Sequence, residues 1–212
     1  MGEIRELVAV DGPRSQRKHA AILAAAVENF IAVGYDAANM DAIADAAGVS
    51  KRTIYGHFRD KQGLFEAVVA DLAQTLDRSV GGQWHPDQTL EQQVIDVALG
   101  KLALFEEPNF AGLVRMILGV FLAQPELAAK IMAAVQECDE GLLRWLESGK
   151  QAGALAGVDV AEADELFGSM FMATILWPQF LGQASDTASR RQKAVIMAKM
   201  FASYLRDAAN PA

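Results

Sequence analysis

The 212-residue chain has a single cysteine, Cys138, and only six prolines and three histidines. One thiol excludes an internal disulfide framework and a cysteine-based zinc site, and it fits a reducing compartment. His19, His57 and His85 are scattered, with no His/Glu pair spaced i, i+4 along a helix, so no metal site is expected. Scarce proline permits long uninterrupted helices and excludes a Pro-rich linker. The greasiest stretches, 113–123 and 170–181, fall short of the about 20 apolar residues a membrane span needs, and Arg115 interrupts the first. Residues 1–10 carry Glu3, Arg5 and Glu6 rather than a basic region followed by an apolar stretch, which argues against a secretory signal. A protein of the cytoplasm without membrane contact is expected. The chain also lacks a Ser/His/Asp order, a nucleophile elbow, a P-loop and a metal cluster, so neither an enzyme nor a cofactor is expected.

Positive charge is in short supply too: 19 Lys and Arg stand against 27 Asp and Glu, a net charge of −8. Taken as a sum this opposes nucleic-acid binding, because neutralised phosphates supply much of the affinity. The distribution says otherwise. Residues 1–63 hold eight basic and eight acidic side chains, whereas 64–212 hold eleven and nineteen, so the whole deficit lies in the second part. Two local basic clusters remain in the first part, Arg14/Arg17/Lys18 and Lys51/Arg52/Arg59/Lys61.

Apolar spacing reads as helix throughout, with no convincing alternation of period two. The expected class is all-α, with about nine helices. The first runs over 15–33, with Ile22, Ala26, Phe30 and Val33 on one face and Gly34 as its stop. Asn39 caps a short second helix whose apolar stripe is Met40, Ile43, Ala44 and Ala47. Ser50 caps a third, Lys51 to His57, in which Ile54 shares the inward face with Phe58. A fourth spans 61–80 and breaks at Gly81 and Gly82, and five more fall near 87–105, 108–123, 125–151, 159–181 and 187–208, with Pro178 kinking or ending the eighth.

The segment from Met40 to Phe58 has the parts of a helix-turn-helix. Small inward residues Ala44, Ala46 and Ala47 let a second helix cross closely, Gly48 suits the tight turn, and the second helix is held by Ile54 and Phe58 alone. Its remaining residues, Lys51, Arg52, Thr53, Tyr55 and His57, face outward as donors. Together with Ile22-Leu23, Ala25-Ala26, Phe30, Gly34-Tyr35, Lys61 and Leu64-Phe65, this segment resembles the DNA-binding head of the tetracycline-repressor (TetR) family over about residues 15–69. Asn39 stands where the family commonly has Ser or Thr, which preserves the capping chemistry, and Gly56 weakens a short helix by roughly 1 kcal/mol relative to Ala.

The resemblance implies an N-terminal arm and DNA-binding domain over 1–60 and an effector-binding and dimerisation domain over 61–212. It implies phosphate contacts from Ser50, Tyr55, His57 and Lys61, and a major-groove face of Lys51, Arg52, Thr53 and Gly56, with Arg52 suited to fork onto guanine and Thr53 to touch a thymine methyl. Arg14, Arg17 and Lys18 are either further DNA contacts or a solvated basic face. The implied partners are double-stranded operator DNA, a second copy of the chain and a small-molecule effector, and repression is the family's usual outcome. The rival reading, a helical ligand-binding or protein-interaction module that no longer meets DNA, is opposed by the retained Lys51, Arg52, Tyr55, His57 and Lys61.

Phe110 to Met116, Gln124 to Ala128 and Gly153 to Asp159 resemble, more weakly, an AefR-like C-terminal subgroup, which fixes no effector. By family analogy the effector pocket draws on Trp84, Phe105, Met116, Phe121, Met132, Trp145, Phe171 and Trp177, each of which taken singly is more often plain core. Arg115 either pairs with an acid or meets an anionic ligand, the ion pair being favoured. Cys138 reads as an inert thiol. The helices near 159–181 and 187–208 resemble the family's dimerising pair, with Phe167, Met170, Met197, Met200, Phe201, Tyr204 and Leu205 as the interface stripe. A two-fold pair would set its reading helices about 34–36 Å apart, one turn of DNA.

Overall fold

The computed structural model describes residues 14–135, 141–181 and 186–209, and among them the chain is all-α, with no strand. Cys138 and residues 1–13 lie outside the described residues. In chain order the helices are α1 (Arg14–Ala37), α2 (Met40–Ala46), α3 (Lys51–His57), α4 (Lys61–Val80), α5 (Leu90–Glu106), α6 (Pro108–Ala123), α7 (Pro125–Val135), α8 (Gly141–Gln151), α9 (residues 160–180) and α10 (Thr187–Ala209). Two compact units are formed, and neither is continuous in sequence: the first is Met1–Ala73 with Pro108–Gln136, the second Gln74–Glu107 with Glu137–Ala212.

In the first unit, α1 supplies Ile22, Leu23, Ala26 and Phe30 to the core, joined by Met40, Ile43 and Ala44 of α2, Ile54 and Phe58 around α3, and Leu64, Phe65, Val68 and Val69 of α4. Phe30 meets Phe65 edge-on, with centroids 5.5 Å apart, and Tyr35 lies 4.7 Å from Phe65. Val33, expected on the inward face of α1, is half exposed. Gly34 takes φ +80° and breaks the helix one residue later, so the turn after Val33 leaves the direction of α1. By length and composition α1 passes for a membrane span, yet its apolar side is the core of this unit. Helix α6 packs along α1, where Gly112 faces Ile31. At the far end Gln124 Nε2 donates to Asp36 Oδ1 at 3.3 Å.

In the second unit α10 lies along α5. Ala194, Ala198 and Ala202, spaced by four, make a low ridge that permits close approach, and Met197, Phe201 and Leu205 fill the sides. Phe201 meets Phe167 of α9 edge-on at 5.1 Å. Helix α9 is regular over Val160–Phe171, widens into a π turn at Met172–Leu176, and resumes at Trp177–Phe180. Pro178 explains the interruption: it cannot donate to the carbonyl four residues back and its ring crowds that group, which the wider turn relieves. Among the described residues the one buried polar side chain is Gln93. Its Oε1 accepts from the His85 amide at 3.0 Å and from Trp145 Nε1 at 3.2 Å, and its Nε2 donates to the carbonyls of His85 at 2.9 Å and Gln88 at 3.3 Å. A glutamine on a helix gives no sequence signal for that role.

Candidate nucleic-acid interface

The reading helix is fixed at both ends by short-range chemistry. Asn39 Oδ1 accepts the Asp41 amide at 2.8 Å and starts α2. Helix α2 ends in a Schellman arrangement: the Gly48 amide donates to the Asp45 carbonyl and the Val49 amide to the Ala44 carbonyl, with Gly48 at φ +66°. Two residues on, Ser50 starts α3, its Oγ accepting the Thr53 amide at 3.1 Å and sharing a hydrogen with Thr53 Oγ1 at 2.8 Å. A side chain other than glycine at 48 would be strained, so this residue sets how α3 departs from α2.

Within α3 only Ile54 is buried, and Phe58 follows at 5% exposure. Lys51, Arg52, Tyr55 and Gly56 are exposed, and Thr53 and His57 are half-buried. Seven residues with one inward anchor leave nearly the whole surface available to a partner. A methyl group built on Gly56 meets nothing within 4 Å, so its absence serves no packing need inside the chain. Lys51 pairs with Asp41, and the carboxylate raises the ammonium's proton affinity. This pair orients α3 against α2, and the ammonium remains exposed for a phosphate to compete for.

Two expected phosphate contacts have neighbours that the sequence did not foretell. The His57 ring lies 5.7 Å from that of His19 on α1, and His19 also packs on Phe58 at 4.9 Å. Burial lowers the His19 pKa, the His57 ring lowers it further, and Asp71 opposes both. Lys61 is more engaged still: its ammonium donates to the carbonyls of Tyr35 and Asp36 at 2.9 Å each and of Ala38 at 3.3 Å, and lies 4.8 Å from the centre of the Tyr35 ring. All three of its hydrogens have acceptors at the C-terminal end of α1, where a cation is electrostatically favoured. Beside the turn, Arg17, Lys18 and Ala21 of α1 with Ala47, Gly48 and Val49 line an open groove of about 390 Å³. The structure thus brings Arg17 and Lys18 beside the helix-turn-helix.

The eight residues expected to line an effector pocket are divided between the two units. Met116, Phe121 and Met132 belong to the first unit and the rest to the second. In the second unit Trp84 packs on Trp145 at 5.4 Å, and Phe105 on Phe171 at 5.8 Å. Met132 and Trp177 are 52% and 40% exposed. Arg115 is exposed as well. A small cleft of about 260 Å³ reaches only Trp145 among the eight, between Arg78, His85, Gln93 and Asp96.

The expected dimer stripe needs correction. Phe167, Met197, Phe201 and Leu205 are almost wholly buried within their own chain, because α10 spends that face on α5 and α9. Met170 and Tyr204 are half-buried. The apolar residues left outward on α10 and at the end of α9 are Ile196 and Met200, 52% and 62% exposed, with Trp177 and Leu181.

Comparison with known proteins places this geometry. Residues 22–68 match the model of bacterial regulatory proteins of the tetR family, and residues 91–206 match that of the AefR-like transcriptional repressor C-terminal domain. The transcriptional activator FasR of Mycolicibacterium smegmatis is 33% identical over 144 residues, 66% of this chain and 64% of its own length, so the match spans slightly under two thirds of that relative. A TetR family transcriptional regulator from Pseudomonas syringae pv. tomato str. DC3000 superposes with a TM-score of 0.68 at 27% identity, covering 89% of this chain and 96% of its own. The flavonoid-responsive regulator FrrA gives the same values.

Proposed function

Because the chain belongs to the TetR family of bacterial regulatory proteins, we propose that it is a cytoplasmic, ligand-responsive transcriptional regulator that binds a palindromic operator as a homodimer. The observation that carries this reading is α3, a helix with a single buried residue of its own and a capped, glycine-set entry. In this proposal Lys51, Arg52, Thr53 and the bare backbone at Gly56 face the major groove, while Ser50, Tyr55 and His57 meet phosphates. Lys61 holds the start of α4 to the end of α1 and so sets the depth at which α3 sits.

A small apolar or amphipathic effector releases the operator by favouring a conformer with differently spaced reading heads. A coupling of ~1–3 kcal/mol between the two sites weakens DNA binding ~5–150-fold. Support for a small-molecule effector comes from the flavonoid-responsive relative, and support for repression from the AefR-like domain, although FasR is named an activator. The test is enrichment of random duplexes on the purified protein: a two-fold symmetric consensus is expected, binding without sequence preference would overturn the operator reading, and no retention of any duplex would leave the rival reading of a helical ligand-binding or protein-interaction module.

A further inference from the structure

Helix α5 ends at Glu106, opposite the turn Trp177–Phe180 that follows the π turn of α9. Gln179 Nε2 donates to the Phe105 carbonyl at 3.2 Å, which ties that turn to the end of α5. The carboxamide's other atom, Oε1, is shut off from solvent and accepts nothing, Glu106 Oε1 is in the same position, and beside them Arg190 Nε is a buried donor that gives its hydrogen to neither. Arg190 at the start of α10 faces this carboxylate at 3.6 Å, too far for a hydrogen bond but close enough to balance its charge, and donates to Thr187 Oγ1 at 3.0 Å. The wall beside them is aromatic: Phe105, Phe171 and Phe167 are buried, with centroids 5.8 and 6.2 Å apart along the row.

Two buried acceptors without donors at one place are unusual, since buried polar atoms in folded proteins are nearly always satisfied. They sit next to a π turn, a feature frequent at functional sites. The charge balance narrows what suits them. Glu106 disfavours an anion, and Arg190 disfavours a cation. A neutral group with O–H or N–H donors answers both acceptors, and the phenylalanine row suits a flat ring behind it.

Resting on the ligand-responsive reading above, we propose that Glu106 and Gln179 hold the polar end of the effector, and that the effector is a neutral hydroxylated aromatic compound. The ligand's hydroxyls donate to Glu106 and Gln179, and a hydroxyl oxygen can also accept from Arg190 Nε, so the methyl ether of such a compound is rejected because it keeps only the accepting oxygen and leaves both acceptors unanswered.

The test is calorimetric titration of the full chain with 2,3-dihydroxynaphthalene and 2,3-dimethoxynaphthalene, which share a frame and differ in donors. The diol is expected to bind about tenfold tighter or better. Gln179→Met and Glu106→Met are each expected to reduce that preference about threefold or more, and the double variant to abolish it. Equal affinity of diol and ether for the unaltered chain, or no binding of either at millimolar concentration, overturns the assignment, and this comparison needs no variant to fold. Variants that fold and keep the full preference also overturn it, the acceptors then being served by water. Operator enrichment run in parallel separates the two readings: a diol preference without sequence-selective DNA binding sinks the regulator and leaves the ligand site, and the reverse result sinks the ligand site alone.

Discussion

Lys61 at the start of α4 and Tyr35 at the end of α1 are joined twice, by a 2.9 Å hydrogen bond from the ammonium to the Tyr35 carbonyl and by the placing of that ammonium 4.8 Å from the centre of the Tyr35 ring. With the Asp36 and Ala38 carbonyls also served, the side chain works as a clasp inside the head. Lys61→Met is therefore expected to lower the stability of the protein by about 1–3 kcal/mol and to leave the slope of log K against log salt near its original value. Thermal melting and DNA titrations at several salt concentrations check this. A fall of about one unit in the slope would return Lys61 to direct phosphate contact.

Arg52 and Thr53 differ in what they are expected to read. Arg52→Ala should cost about 1–3 kcal/mol on the preferred duplex and relax the consensus at one guanine, and Thr53→Ala should shift preference at a neighbouring base with a smaller loss. Repeating the duplex enrichment with each variant decides the matter, and an unchanged consensus from both would mean that α3 does not face the major groove in the proposed manner.

Gly56 separates folding from recognition. Nothing in the chain occupies the space a methyl group would take, so Gly56→Ala is expected to stabilise the protein by roughly 0.5–1 kcal/mol through helix propensity. The same methyl group is expected to weaken operator binding several-fold by holding the helix away from the bases. A gain in melting temperature with no loss of affinity would show that the backbone does not approach the duplex there.

His19 gives the head a pH dependence whose sign follows from its surroundings. Burial and the His57 ring lower its pKa below the ordinary value of 6.5. The unfolded chain thus takes up a proton before the folded head does, and the stability His19 contributes is complete above about pH 6.5 and declines as the pH falls from there through the lowered value. Denaturant titrations between pH 8 and pH 5 are expected to show this decline, and His19→Phe is expected to flatten it. An equally steep profile in the variant would assign the dependence elsewhere.

Met200 and Ile196 lie one turn apart on the outward side of α10. Met200→Glu places a charge where the proposed two-fold contact would bury it, so sedimentation is expected to show monomers and DNA binding to fall by orders of magnitude. Phe201→Glu is expected to prevent folding outright, because that residue is wholly buried in its own chain. A Met200→Glu protein that stays dimeric would move the interface off this face.

The head was legible from its residues because its determinants are close in sequence. Asn39, Gly48 and Ser50 act on atoms within five residues of themselves, and Ile54 and Phe58 are the only anchors α3 has. The remainder depended on long-range choices. Helix α10 carries apolar residues on two sides, and nothing local says that Phe201 packs on Phe167 of α9 while Met200 faces outward. Gln93 and Gln179 look like surface glutamines until the elements around them are assembled. The π turn follows from Pro178 in hindsight, but sequence reading allowed a kink or an end with equal justice.

The discontinuity of the first unit bears on how the protein is made. Residues 1–73 leave the ribosome ahead of Pro108–Gln136, the stretch that completes the unit to which they belong. At about 5–20 residues per second, the nascent head waits some seconds with the side of α1 around Ile31 uncovered, which makes this interval, rather than the finished molecule, the point where a chaperone would engage it.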